Sequence, residues 1–357
     1  MSQFHSLTVS DVKTETRDTV TVTFDLPAEL ADTFHYQHGQ YLTLRTDIGG
    51  EEARRSYSVC ESLGSQKLRV AIKQVPGGLF STWANNELKA GDVIDSMPPQ
   101  GSFTCDLQTD HKGEYLLIAA GSGITPIMSI LTSMLEQEAD SKVTLIYGNR
   151  ATSSVIFREE LEDLKNQYMD RLNVIYVMSR EQQDIDLFNG RIDGDKITGL
   201  LDKWIHPSRI SEAFICGPED MTKQSQQALL DAGLKSEKVH IELFGTVTAG
   251  SARRQVEVDP ANAEMVEVSM TSDGHTRTFE MAKNAVNVLE AGIEAGADLP
   301  WACKAGVCST CKCKVLEGEV EMDVNHALED YEIQDGYVLS CQSYPVSDKV
   351  VLDFDVH

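Results

Sequence analysis

Four cysteines carry the most specific chemistry in the chain. Cys303, Cys308 and Cys311 stand in the spacing C-x4-C-x2-C, and Cys341 follows at a distance. Three thiolates from one tight loop and a fourth from elsewhere is how a protein holds a [2Fe–2S] cluster. The residues between them, Ala305, Gly306, Ser309 and Thr310, are small, so backbone N–H groups can turn toward negatively charged sulfides. Gly306 admits the positive φ that such a loop needs. Zinc also takes four thiolates, but its structural sites come as two short C-x2–4-C pairs, and here the fourth cysteine stands alone. Cys313 reads as a packed thiol at the start of an outgoing strand.

Two further stretches suit phosphate-bearing cofactors. Arg54-Arg55-Ser56-Tyr57-Ser58 offers a cation for a pyrophosphate, an aromatic plate and a hydroxyl. About twenty residues on, Gly77-Gly78-Leu79-Phe80-Ser81-Thr82 opens a short helix expected over Ser81–Leu88, whose free N–H groups can bind an anion. Later, the apolar strand Tyr115–Ala120 runs into Gly121-Ser122-Gly123-Ile124-Thr125-Pro126 and an amphipathic helix through Leu135. Strand, glycine turn and helix are how α/β folds approach a pyrophosphate. Pro126 occupies the last position, so the ordinary G-x-G-x-x-G fingerprint does not apply.

The elements that must position these residues fall into three blocks. Residues 1–110 read as an antiparallel β-barrel of short alternating strands, including Phe4–Val9, Thr19–Phe24, His38–Leu44 and Leu68–Ile72. Residues 111–244 alternate buried strands (Val143–Gly148, Leu172–Val177, Glu212–Pro218) with helices at Arg158–Tyr168 and Pro218–Ala232, which predicts a parallel sheet covered on both faces. Residues 245–262 are small and polar and read as a tether. Residues 263–357 predict a β-grasp-like α+β unit. It has a hairpin about Ser272-Asp273-Gly274, a helix over Asn284–Ala295, the cysteine loop, and a strand Tyr337–Cys341.

Composition narrows the class. With 357 residues, 41% hydrophobic and 24% charged, the chain has ample length for several cores. Its net charge of −25 argues against nucleic acid and anionic membranes as partners. From Ala263 onward there are 6 Lys and Arg against 18 Asp and Glu, so the cluster-bearing block holds about half of that charge. Such a field can steer a basic docking face. The N-terminus lacks a signal-peptide layout, and eight cysteines suit metal ligation in a reducing compartment, so a cytoplasmic location is expected.

Taken in order, these blocks resemble the ferredoxin–NADP⁺ reductase family with a fused C-terminal plant-type ferredoxin. The likeness runs through Ala119–Pro126, Leu145–Arg150, Gly190–Gly194, Ala213–Pro218 and Cys308–Leu316. It implies FAD, NADPH and a [2Fe–2S] cluster as cofactors. It further implies that Arg55 binds the flavin pyrophosphate, Tyr57 stacks on the isoalloxazine, and Ser58 lies near its N5. Gly78 and Ser81 would complete the flavin phosphate site, and Gly121, Gly123, Thr125 and Pro126 would line the nucleotide channel. Cys216 would sit beside the nicotinamide, and Glu242 and Phe244 would match the family's acid and terminal aromatic at the flavin.

Ser179-Arg180-Glu181-Gln182 looks like the 2′-phosphate site, with Arg191 as a second cation. An acid at the strand end would instead favour NADH. The acceptor implied by the resemblance is the di-iron oxygenase complex of phenylacetyl-CoA epoxidation, in phenylacetate degradation. The same wiring also serves ring-hydroxylating oxygenases and hybrid-cluster proteins. A non-enzymatic redox sensor or assembly module would have to leave three cofactor motifs idle.

Overall fold

The computed structural model describes residues 4–65, 67–244, 264–283 and 285–356; the tether expected at 245–262 lies outside them. The first block is a six-stranded antiparallel sheet of β1 (His5–Thr16), β2 (Thr19–Asp25), β3 (Tyr41–Ile48), β4 (Glu51–Ser58), β5 (Leu68–Lys73) and β6 (Val93–Ser96), in the order β4-β3-β6-β1-β2-β5. A bridge between Val59 and Val70 joins its two ends and closes the barrel. The interior is filled by Leu7, Val22, Leu42, Leu44, Val70 and Ile72, all at or near zero exposure. β3 begins at Tyr41, three residues later than the sequence pattern suggests. Gly39 has φ +82, and a Cβ there would lie 1.8 Å from the Phe103 carbonyl oxygen, so His38–Gln40 is held in a turn. Helix α1 (Leu79–Asn86) starts two residues earlier than expected, with Gly78 as its N-cap.

The second block is a wholly parallel sheet of β7 (Glu114–Ala120), β8 (Lys142–Asn149), β9 (Leu172–Met178), β10 (Ile210–Gly217) and β11 (Val239–Leu243), ordered β11-β10-β7-β8-β9. Helices α2 (Ile124–Gln137), α3 (Arg158–Gln167), α4 (Gly194–Lys203) and α5 (Glu219–Asp231) supply the apolar stripes that pack on its two faces. Helix α2 differs from the amphipathic expectation in being buried almost all round. Its second face carries the barrel: Ser129 Oγ donates to the Glu61 carbonyl at 2.6 Å, and Leu63 N–H donates to Ser133 Oγ at 3.0 Å. Arg69 on β5 adds a bidentate pair with Glu160 on α3, both bonds at 2.7 Å.

The third block is a mixed sheet of β12 (Met265–Ser272), β13 (His275–Ala282), β14 (Lys312–Glu317), β16 (Tyr337–Leu339) and β18 (Lys349–Asp353), ordered β13-β12-β18-β14-β16, with a separate two-stranded pair of β15 (Val320–Met322) and β17 (Ser343–Pro345) and the helices α6 (Val288–Glu294) and α7 (Asp330–Gln334). β12 and β18 are parallel and α6 packs on the sheet, a β-grasp-like arrangement. Two expectations shift. The helix starts at Val288 instead of Asn284, because Asn287 caps it by accepting from Glu290 N–H at 2.9 Å; Asn284 itself lies outside the described residues. Cys341 sits on a 3₁₀ turn, Ser340–Gln342, and not on the preceding strand. Among the described residues no helix is long and apolar enough to cross a membrane.

One buried acid ties the second block together below its sheet. Glu138, at the end of α2, is 0% exposed and accepts from Ser141 Oγ at 2.6 Å, Tyr115 OH at 2.8 Å and Gln108 N–H at 3.0 Å. Burial alone would raise its pKa, but the bonds from Ser141, Gln108 and Tyr115, with His111 nearby, hold it below the ordinary glutamate value. A depressed pKa contributes stability that is complete above the unfolded value and fades as pH falls through the folded one. Glu138→Gln is therefore expected to cost about 1–3 kcal/mol at neutral pH. In chemical unfolding the gap to wild type narrows when the comparison is repeated near about pH 3.5; an equal gap at both would show that the charge contributes nothing.

Candidate functional site

Regular alternation along β4 sets Arg55 and Tyr57 on one face and Ser58 on the other. Arg55 is exposed, with one bond, from Nη1 to the Arg54 carbonyl at 2.6 Å. Ser58 is 3% exposed and pairs across the sheet with Tyr41. The Tyr57 ring packs at 5.5 Å on Phe80 of α1, which is itself edge-on to Trp83. The two stretches that the sequence singled out are thus joined by an aromatic contact. Gly78 caps α1 without a side-chain bond, leaving first-turn N–H groups free for an anion. Ser81 does something other than expected with its hydroxyl: it accepts from Val75 N–H at 3.1 Å and donates to the Gly78 carbonyl at 3.4 Å. Its side chain shapes the loop, so an anion bound there would meet the backbone.

Across a cleft, Gly121 (φ +55) and Gly123 form a 3₁₀ turn at the tip of β7. A Cβ on Gly123 would lie 2.2 Å from the Cys216 carbonyl oxygen, so glycine here is a condition of the turn meeting β10. Thr125 and Pro126 are buried in the first turn of α2, where Thr125 Oγ1 donates to the Ser122 carbonyl at 3.1 Å. Cys216, fully buried at the end of β10, pairs across the sheet with Glu242; its Sγ lies 3.9 Å from the carboxylate. Removal from water pushes Glu242 up to about 8, Cys216 partly opposes this, and Cys308 of the cluster loop adds to it. Burial likewise raises the Cys216 thiol. Phe244 donates its N–H to the Gly217 carbonyl at 3.3 Å and packs on the second block's core.

Sequence reasoning gave no role to two cations, Lys73 and Arg150, that share a cavity. A cavity of about 320 Å³ opens between the barrel and the parallel sheet, lined by Lys73, Gly77, Thr82 and Arg150 among others. Backbone bonds then gather the arginines. Ser179 N–H and Oγ both donate to the Asn149 carbonyl (2.9 and 3.2 Å), and Arg180 N–H donates to the Arg150 carbonyl at 2.8 Å. Glu181 fixes this loop by accepting from Thr152 N–H and Oγ1 at 2.7 and 2.6 Å. Gly190 N–H donates to the Met178 carbonyl at 2.8 Å, which returns Arg191 to the end of β9. Arg150, Arg180 and Arg191 are all exposed, at strand ends where α/β folds bind ligands.

The four cysteines of the cluster loop come together as two pairs. Cys303 and Cys308 have their Sγ atoms 3.0 Å apart, and Cys311 is the side-chain neighbour of Cys341. In each pair one thiol falls and the other rises. Cys303 is lowered because Cys308 bonds to it, and Cys341 because Cys311 does. Two thiol pairs are the donor set of a centre with two irons. The loop is shaped for this: Lys304 and Gly306 have φ +52 and +73, and a Cβ on Gly306 would lie 2.8 Å from the Val324 carbonyl oxygen. Ala305 N–H donates to Cys303 Sγ at 3.3 Å, and Ser340 Oγ donates to the Cys311 carbonyl at 3.0 Å, tying the Cys341 turn to the loop. Cys313 is a buried thiol on β14 whose pKa burial raises.

The loop leans on the barrel. Tyr41, Ala302 and Cys308 form a small apolar cluster with Cys303 against it. Beside it, the Arg54 guanidinium lies 4.6 Å from the Trp301 ring centre, and its Nη1 donates to the Leu299 carbonyl at 3.5 Å.

Comparison with known proteins agrees with this geometry. A domain described as Oxidoreductase FAD-binding domain matches residues 6–105, an Oxidoreductase NAD-binding domain matches 117–227, and a 2Fe-2S iron-sulfur cluster binding domain matches 270–346. The chain is 44% identical over 355 residues to one of the subunits of 1,2-phenylacetyl-CoA epoxidase from Escherichia coli, covering 99% of both chains. It is 36% identical to the ferredoxin reductase component of 3-ketosteroid-9-alpha-monooxygenase from Rhodococcus rhodochrous, covering 98% of this chain and 96% of that one. Phthalate dioxygenase reductase shares the fold, with TM-score 0.60, 21% identity and 98% of each chain covered. The chain therefore belongs to the ferredoxin–NADP⁺ reductase family in its form with a fused C-terminal [2Fe–2S] ferredoxin, and is an oxidoreductase with FAD-, NAD- and cluster-binding domains.

Proposed function

We propose that this protein is the reductase component of a multicomponent oxygenase, passing electrons from NADPH to a di-iron oxygenase that acts on phenylacetyl-CoA. The observation that carries the electron route is the adjacency of the sites: Tyr41, the cross-strand partner of Ser58 on the barrel, packs against Cys308 of the cluster loop. When bound, the nicotinamide supplies a hydride, the flavin takes electrons in pairs and releases them singly, and the cluster carries one at a time. The chain's own residues bind, orient and enclose. Arg55 and the α1 N-terminus hold the flavin phosphates, Tyr57 covers its ring, and Ser58 stands near N5. Gly121, Gly123, Thr125 and Pro126 let the nucleotide backbone approach, and Cys216 borders the nicotinamide. Glu242, its pKa raised by its surroundings, stands beside Cys216 at the end of the parallel sheet. Cys303, Cys308, Cys311 and Cys341 hold the cluster.

The acceptor rests on the full-length likeness to the epoxidase component. Relatives named for 3-ketosteroid and glycine betaine monooxygenases support a second choice, another oxygenase. The preference for NADPH rests on Ser179, Arg180 and Arg191, joined by Arg150. A reducing, cytoplasmic setting fits the unpaired cysteines.

Reconstitution tests the acceptor: the loaded protein, NADPH and the di-iron oxygenase are expected to give oxidation of NADPH that depends on phenylacetyl-CoA. Delivery to a hybrid-cluster protein alone would replace that acceptor. Arg180→Ala is expected to raise the KM for NADPH roughly tenfold, with little change for NADH; equal effects would remove Arg180 from the phosphate site. Cys308→Ser is expected to keep NADPH-driven bleaching of the flavin while delivery to the oxygenase falls to background. Undiminished oxygenase turnover in that variant would sink the electron route.

A further inference from the structure

We infer that Tyr41 is a positioning residue for transfer from flavin to cluster: its buried phenol, bonded to Ser309 and Thr310, seats the cysteine loop against the flavin barrel. This rests on the electron route proposed above and names the residue that sets its second leg.

The position is built on both sides. Tyr41 opens β3 and is 5% exposed, and its backbone is clamped by paired bonds with Gln100, at 2.8 and 3.0 Å. Gly101 (φ +118) makes room for it, since a Cβ there would lie 3.2 Å from two carbons of the Tyr41 ring. Ser58, the barrel hydroxyl placed near the flavin, is its cross-strand partner. From there the side chain reaches out of the barrel. The ring packs with Ala302 and Cys308, and the hydroxyl lies 3.1 Å from Ser309 Oγ and 3.3 Å from Thr310 Oγ1. Thr43, two residues along the same face, adds a bond to Thr310 Oγ1 at 3.3 Å and one to Ser56 Oγ at 3.4 Å.

Ser309 and Thr310 are the two residues between Cys308 and Cys311, so they connect one thiol pair to the other. A bond to both therefore fixes the whole centre relative to the strand that ends at Ser58. An ordinary core tyrosine would need a partner for its hydroxyl, but that partner could be any carbonyl; here both partners belong to the cluster loop. With both groups bound, one electron would pass from the reduced flavin to one ferric iron of the cluster, taking it to ferrous, while Tyr41 holds the loop. Tyr41 keeps its proton, and no bond to it forms or breaks.

The test uses the full-length, fully loaded protein and three variants: Tyr41→Phe, Thr310→Val and the conservative Thr310→Ser. Each is mixed anaerobically with NADPH, and flavin bleaching and cluster reduction are followed in the same trace. Tyr41→Phe and Thr310→Val are expected to slow cluster reduction roughly three- to tenfold relative to flavin bleaching, with Thr310→Ser near wild type. The electron paramagnetic resonance g-values of the dithionite-reduced cluster are expected to shift in Tyr41→Phe, which a purely structural role would not produce. Wild-type rate ratios and an unchanged spectrum in both slow-predicted variants would overturn the role of Tyr41. Wild-type protein that bleaches its flavin yet never reduces its cluster would overturn the route itself, and Tyr41's part in it.

Discussion

Helix α2 is the piece on which the arrangement of the molecule depends. It starts at the glycine turn that ends β7, and it is buried on opposite sides, by the parallel sheet and by the barrel. A helix so enclosed cannot carry a polar stripe, and the serines it does bury are spent on barrel backbone at Glu61 and Leu63. That contact sets where the flavin barrel stands relative to the nucleotide turn. The bidentate Arg69–Glu160 pair then resists rotation about it. Glu138 closes the far end of the same helix with three hydrogen bonds. The helix is thus fixed at its tip, along its length and at its base.

Charge and burial divide the labour among the sites. At the outer end of the cleft the arginines are exposed, as suits the recognition of a solvated, charged nucleotide tail. At the inner end Cys216 is at zero exposure, and the half-buried Glu242 beside it has a raised pKa. The sheet's ligand-facing edge thus grades from a charged, exposed end to a more buried one. The gradient is read most easily along β8 to β10, from Arg150 to Cys216.

Much of this was legible in the sequence wherever the signal was local. The cysteine spacing, the apolar run before Gly121 and the alternation of β1 and β2 each lie within one loop or one element, and each appears where the pattern puts it. Boundaries were less legible. The β3 start depends on Gly39 meeting Phe103, and the α6 start depends on which asparagine caps it. What could not be read at all were contacts between distant residues. Tyr41 and Ser309 are separated by 268 positions, and nothing in either neighbourhood announces the other. Lys73 and Arg150 lie on different blocks and share a cavity only once both have folded. Ser81 shows the reverse case: its place near the start of a short helix was anticipated, while the use of its hydroxyl was decided by the loop behind it.

Of the four ligand thiols, Cys308, Cys311 and Cys341 are buried, and Cys303 stays partly exposed. The edge of the centre that can be approached from outside is therefore a narrow one, bordered by Lys304. Whatever reached a cluster held there from solvent would have to come by that edge.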